Sequence, residues 1–540
     1  MGSGASQGLA AALNATTAET LVGVFATFPE ESRAKLCQAL GGCDLGDKSS
    51  AHLPLGLQLI ASRHCTYSFD TSRQVPQSMV RDILEVSRSL PSSANTQPWT
   101  VIVVQGATRD RLSEKMLQKF DAGDDGQAQY ENCPKSMISR MERAVNDYGR
   151  QFYEEHLGVD RSDKVGCRAK DRPNYEFWGA PVHIILCAPY QQSVVEGVDG
   201  IFLDMGTLLT AILLGAHSHG LGGNAQFSVA KYHDVYREVL GEELPDDLFV
   251  VCGLSIGWPT SGRDPRTQPD FKPTKLSVDE TTRWVSCDSS WHFSTEGAAL
   301  GSRGHGLLQL MKSRHCSHSL DPTQSVSKDI IFAILEAARN VPSTENSQPW
   351  CITVIQGEAR DRLSKRMLEY FDAGKDGSQT YKKYSASNTA RMQKGKDTYG
   401  FELYEQKHGL ARDDKVGRRQ KYRFNYEFWG APVLLLLTLP SNAVSGTYID
   451  VGSFMYAILL GMHSYGLGGK PLGSVAKFTD VCREVLGAVA MPEDEHLICG
   501  ICIGWPSGGR DPRETPDFFP SRLTLEETTR WIGDSTWLTV

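Results

Sequence analysis

Hydrophobic and polar positions along the chain fall into blocks of two periods. Val75–Leu90 spaces its apolar residues as a helix does, with Val80, Ile83, Leu84 and Val86 along one side. The β-branched run Thr100-Val-Ile-Val-Val-Gln105 predicts a buried strand. Helices are predicted over Arg109–Phe120 and Lys135–Leu157, then a second strand over Pro181–Ala188. Leu203–Gly220 reads as a buried helix ended by glycine. A helix over Tyr232–Leu240 and a third strand over Leu248–Gly257 complete the block. Helices interleaved with few strands indicate an α+β or α/β domain with a large helical share.

The block then occurs a second time. Arg63–Tyr130 runs parallel to Arg314–Tyr381 at a constant offset of 251 (314 − 63). Pro91-Ser-Ser-Ala-Asn95-Thr-Gln97-Pro98-Trp99 returns as Pro342-Ser-Thr-Glu-Asn346-Ser-Gln348-Pro349-Trp350. Asn174-Tyr-Glu-Phe-Trp-Gly-Ala-Pro181 returns as Asn425-Tyr-Glu-Phe-Trp-Gly-Ala-Pro432. Gly220-Leu-Gly-Gly223 matches Gly466-Leu-Gly-Gly469 after a five-residue deletion, and Ile256-Gly-Trp-Pro259 matches Ile503-Gly-Trp-Pro506. This is duplication of a whole domain. The boundaries read as an N-terminal extension over 1–54, a first domain over 55–290, a Gly-rich linker over 291–306 and a second domain over 307–540.

Composition narrows the classes. A formal charge of -8 is no phosphate-backbone footprint, so no nucleic-acid partner is indicated. The purely apolar runs are short, as in Val433–Leu437, and predict no transmembrane segment. The 13 cysteines lack metal-ligand spacing and predict free thiols in a reducing compartment, the cytoplasm. The pair Cys499-Gly-Ile-Cys502 reads as buried small residues in a strand. Met1-Gly2-Ser3-Gly4-Ala5-Ser6 fits the myristoylation pattern, and one acyl chain gives only weak membrane contact; a flexible start is the simpler reading.

Three groups of residues are candidates for chemistry. In Pro91–Trp99 and its twin, the amides of Asn95, Gln97, Asn346 and Gln348 both donate and accept, which suits the polar edge of a flat heterocycle. A capped turn entering a strand is the plain alternative, weakened because the constellation occurs in both copies. Arg63 and Arg314 open each copy, and Lys275 and Arg522 stand in matching frames near each end. Two such cations converging on one phosphate would hold it firmly. Asp204 and Asp450 read as N-caps of the helices that follow. The Tyr-Glu-Phe-Trp segments, and His217 and His463, read as packed residues.

These motifs, in order and twice over, resemble the nitroreductase superfamily of FMN proteins. The set is the Arg-His-Cys start, the Pro-Ser-x-x-Asn-x-Gln-Pro-Trp block, Gly-Ala-Pro-Val, Asp-x-Gly, Gly-Leu-Gly, Ile-Gly-Trp-Pro and the final basic residue before Leu-x-[Leu/Val]-[Asp/Glu]-Glu. The resemblance implies an α+β fold with a central, mainly antiparallel sheet flanked by helices. It implies that two copies form an intramolecular pseudo-dimer with an FMN site at each junction. Arg63 and Lys275 would hold one FMN phosphate, with His64, Cys65 and Tyr67 along the ribityl chain and pyrimidine. Arg314, Arg522, His315, Cys316 and His318 would serve the other. Ser343 and Asn346 would complete the first site from across the junction, and Ser92 and Asn95 the second. The loops holding Gln226 and Phe227, and Pro471, Leu472 and Gly473, match the segment facing flavin N5.

The implied activity is hydride transfer from NAD(P)H to a small-molecule acceptor, a nitroaromatic or quinone, by ping-pong turnover with no protein acid or base. Reductive dehalogenation, flavin modification, or a silent flavin-binding scaffold are the alternatives, and Gly126–Asp171 is a candidate lid. Family members often carry a cation where this chain has Tyr67 and His318, and a proline where the first copy has Ala225. The two sites are therefore expected to be unequal, which leaves open the loss of one.

Overall fold

Each copy builds a five-stranded sheet, and each sheet takes one strand from the other copy. The computed structural model describes residues 53–285 and 306–534. The first copy supplies β1 (Thr100–Gln105), β2 (Val182–Pro189), β3 (Gly222–Gln226), β4 (Leu248–Gly257) and β5 (Thr282–Val285). The second supplies β6 (Cys351–Gln356), β7 (Val433–Pro440), β8 (Gly468–Leu472), β9 (Glu495–Gly504) and β10 (Thr529–Ile532). The sheet orders are β10-β1-β2-β4-β3 and β5-β6-β7-β9-β8. Within a copy every pairing is antiparallel. The exchanged strands pair in parallel, Val101 opposite Thr529 and Thr282 opposite Ile352. The α+β class and mainly antiparallel sheet follow as expected, and the pseudo-dimer is built into the hydrogen-bond ladders.

Two long helices, Asp199–Ser218 and Ser445–Ser464, pack against each other at the centre and are buried nearly throughout. They touch backbone to backbone at the Asp-x-Gly motifs. A Cβ on Gly206 would lie 1.9 Å from the Ile449 carbonyl oxygen, and one on Gly452 would lie 2.0 Å from that of Leu203. Only glycine allows this approach. The first helix is long and apolar enough to cross a bilayer by length and composition, yet the stretch that qualifies is wholly buried in the core. One hydrophobic cluster runs through both helices and both sheets, joining Leu57, Trp99 and Leu208 to Trp350, Phe454 and Leu459.

The predicted strands at β1 and β4 match residue for residue, and β2 is shifted by one. Strands β3 and β5 and their twins were not anticipated. Cys499 and Cys502 are buried free thiols in β9. His217 is packed, its Nε2 2.8 Å from the Ser62 hydroxyl. The extension over 1–52, with the acylation pattern, and most of the linker lie outside the described residues.

Candidate functional site

The Pro-Ser-x-x-Asn blocks form tight turns in an unfavourable shape. Ala94, Asn95 and Gln97 have φ of 51°, 60° and 46°, and Glu345, Asn346 and Gln348 repeat this at 49°, 59° and 47°. Left-handed backbone in non-glycine residues needs support from its surroundings. Asp204 gives it by accepting the Ser93 N–H at 2.9 and 3.1 Å; Asp450 accepts the Thr344 N–H at 3.1 Å. The two aspartates are therefore not caps of their own helices, which begin at Asp199 and Ser445. They cap the turns instead. Burial pushes Asp204 up to about 7 and Asp450 well above the carboxylate range, with the accepted hydrogen bonds opposing the shift.

Each turn also grips the far end of the other copy. Gln97 Nε2 donates to the Asn95 carbonyl at 3.2 Å, and its Oε1 accepts the Leu523 N–H at 3.0 Å. Gln348 repeats both bonds, with Asn346 and Leu276. Asn95 Nδ2 donates to the carbonyls of Ser521 and Gly395, while Asn346 Nδ2 donates to that of Thr274. Inside the turns, Ser92 and Ser343 hydroxyls accept the N–H groups of Gln97 and Gln348, each at 3.1 Å. Both glutamines thus serve as staples between copies.

A cavity of about 520 Å³ opens where the first turn meets the second copy. Ser92, Asn95 and Asp204 border it from the first copy; Cys316, His318, Lys470, Pro471, Leu472, Gly473 and Arg522 border it from the second. Tyr399, Leu403, Tyr404, Trp429 and Phe518 close it over. The lid positions come from the helix Ala390–Gly400 and the wider turn Phe401–Lys407, twins of Ser139–Gly149 and Arg150–His156 in the anticipated lid. Trp429, read from sequence as a packed residue, is a wall of this cavity. Its backbone is left-handed, with φ of 55°, as is that of its twin Trp178, a feature its apolar character did not signal.

The polar atoms around this cavity are under-used. Arg522 donates to Asn95 Oδ1 and Arg314 to the Ser89 carbonyl, yet Nε of both guanidinium groups is buried without a partner. Burial, then the neighbouring Arg314, depresses Arg522 to about 10. Both ring nitrogens of His318 are also buried without a hydrogen bond. Burial and then Lys470 hold this imidazole well below its ordinary pKa, so it is neutral at pH 7. His315 lies behind the wall, 3.5 Å from Asp517 and edge-on to His463 at 6.0 Å. Two adjacent buried cations and open acceptor and donor positions suit an anionic, heteroatom-rich ligand.

The twin position in the first copy is built differently. Arg63 Nε donates to the Asn340 carbonyl at 3.2 Å, and Lys275 Nζ to that of Val341 at 3.1 Å. Burial, then Arg63, pushes Lys275 down to about 7. His64 Nε2 stands 3.6 Å from Asp270, and Cys65 lies within reach of an Arg63 guanidinium N–H. Tyr67 packs against Phe152, Trp178 and Phe271 with ring centroids 4.8, 5.0 and 5.9 Å apart, and its hydroxyl lies 3.3 Å from that of Tyr148. Gln226 donates to the Asn174 carbonyl at 2.7 Å and accepts from Ser255. Phe227 packs against the main core.

Residues 60–258 and 311–505 both match the family model described as Nitroreductase family. The chain belongs to the nitroreductase family. Relatives within it include the nitrobenzene nitroreductase of Ectopseudomonas oleovorans, 30% identical over 42% of this chain and 95% of its own length. The chloronitrobenzene nitroreductase of Comamonas testosteroni is 31% identical over 37% of this chain and 85% of its own. Among solved structures, the FMN and NADPH-dependent nitroreductase NfnB from sphigopyxis sp. strain HMH is 26% identical with a TM-score of 0.38, covering 43% of this chain and 99% of that one. Each relative aligns to about one copy, so the tandem form sets this nitroreductase chain apart from them.

Proposed function

We propose that this nitroreductase is an FMN-dependent oxidoreductase that passes hydride from NAD(P)H to a nitroaromatic or quinone in the cavity between the copies. The observation that carries the reading is a 520 Å³ cavity bordered by Arg522 and His318, whose Nε and ring nitrogens have no partner, with Arg314, its own Nε unpartnered, beside Arg522. These groups fit FMN: a phosphate would accept from the unpartnered Nε of two neighbouring guanidinium groups. Cys316, His318 and the Lys470–Gly473 segment would border the ring system, while Ser92 and Asn95 complete the site from the first copy. When bound, FMN supplies the hydride-accepting and hydride-donating centre.

The chain's own residues orient and screen. Neutral His318 offers one donor and one acceptor without adding charge. Lys470, close enough to depress His318, provides the cation that position 318 lacks and stabilises negative charge nearby. Trp429, Phe518 and Leu403 exclude water over the reacting face. One cavity must serve donor and acceptor in turn, which is the reason for ping-pong turnover.

Anaerobic mixing of the flavin-loaded chain with NADPH or NADH tests this. Bleaching of the flavin by at least one donor, reversed by a nitroaromatic, is the expected result. No bleaching by either donor would overturn the reductase reading.

A further inference from the structure

We propose that the chain holds a single FMN, in the site built on the second copy, and that the first copy's site is closed by its own side chains. This rests on the FMN reading above and deepens it.

Three wall positions decide the matter. His318, Leu403 and Gly473 border the open cavity. At the offsets that relate the copies, the first copy has Tyr67, Phe152 and Phe227 in their places. All three changes enlarge the side chain, and all three residues are turned toward protein partners. Tyr67 and Phe152 meet at 4.8 Å; Phe152 in turn stacks on Tyr148 at 5.6 Å and meets Phe271 at 5.3 Å. In the second copy Tyr399 and His318 still meet Phe518 at 6.1 and 5.8 Å, but Leu403 takes the central ring out of the cluster, and all four border the cavity. A flat ring system entering the first site would have to break apart a continuous aromatic cluster that already satisfies itself.

The polar end differs in the same sense. The arginines are used alike, Arg63 on the Asn340 carbonyl and Arg314 on that of Ser89, but Lys275 is spent on the Val341 carbonyl, just past the C-terminus of the helix Lys328–Ala338. That is a structural role, capping a helix end across the junction. Lys275 reaches Val341 and leaves Asn346 Oδ1 without a partner, whereas Arg522 meets Asn95 Oδ1 directly. Asn224 and Gln226, on the loop that would face a flavin, are tied to the Thr66 and Asn174 carbonyls. Closure is therefore built from both ends of the site.

The test is the flavin content of the purified full-length chain, measured as flavin released on denaturation per polypeptide, after titration with FMN to saturation. One FMN per chain is expected. Arg522→Ala should reduce the content at least tenfold, and Lys275→Ala should leave it at one, with circular dichroism showing both variants folded. Two FMN per chain, or a content that Lys275→Ala lowers while Arg522→Ala does not, overturns the single-site proposal and leaves the reductase reading standing. No bound FMN at saturation overturns both.

Discussion

Asp204 holds a turn whose residues resist its shape. Left-handed Ala94, Asn95 and Gln97 each cost about 1–3 kcal/mol unless the surroundings hold them. The carboxylate in the second turn of a buried helix is what does so. Removing it strands the half-buried Ser93 N–H, so Asp204→Ala should destabilise the chain by about 1–3 kcal/mol in urea unfolding. The pH dependence has a definite sign. Burial raises this acid from 3.8 to about 7 in the folded chain, so its contribution is fully present below pH 3.8 and is lost as pH rises through about 7. Stability of the wild type relative to Asp204→Asn should therefore fall between those limits; a flat difference would contradict the assignment. This role was hidden from the sequence, because a helix cap is read from neighbouring residues and Ser93 lies 111 positions away. That Asn95 reaches the second copy's site, where it meets Arg522, was an expectation of the family resemblance.

At the scale of elements, the two copies differ most where the cavity is. Lys383, Lys396, His408, Arg418 and Lys470 all border it, and the first copy has Asn132, Val145, Leu157, Cys167 and Asn224 at those positions. Phe401 for Arg150 and Asp397 for Asn146 run the other way, and Asp397 is paired with Arg412 at 3.0 Å. Cations gathered here, in a chain of net charge -8, favour an anionic ligand. Partly exposed charges contribute roughly 0.2–1 kcal/mol each, so Lys383→Gln with Arg418→Gln should raise KM for 4-nitrobenzoate about twofold to thirtyfold. KM for uncharged nitrobenzene should not move, and added salt should mimic the double variant. Equal effects on both acceptors would contradict this. The stretch 126–171 was expected as a candidate lid, and it is residues of its twin in the second copy that border the cavity; which of them do so was not legible. That depends on how a helix and a wider turn roll over the cavity, which no periodicity in Lys135–Leu157 encodes.

For the whole molecule, fusion has turned a domain pair into one interlocked body. The repeated motifs made the duplication readable, and the strong β-branched runs made β1 and β4 readable. Strands β5 and β10 escaped because each is four residues long and finds its partner only in the other copy. Strands β3 and β8 escaped because Gly222-Gly-Asn and Gly468-Gly-Lys lack strand-forming side chains and are ordered by pairing. The Asp-x-Gly motif proved to be two devices in three residues, a turn cap and a helix crossing. Gly452→Ala would press a methyl group into the Leu203 carbonyl, so thermal and urea unfolding should show a loss of about 1–3 kcal/mol. The same change at Gly461, where the nearest atoms are side-chain carbons at 3.1 Å or beyond, should cost less.

The proposed flavin site is assembled from the second copy's walls and the first copy's turn. Its assembly is read out by titrating FMN into two single variants of the intact chain, Asn95→Ala and Asn346→Ala. Asn95 belongs to the first copy yet meets Arg522 at the open cavity, so its loss should weaken FMN binding at least about tenfold, or 1.4 kcal/mol. Asn346→Ala, at the closed site, should leave the affinity unchanged. Equal weakening by both, or weakening by Asn346→Ala alone, would contradict the account.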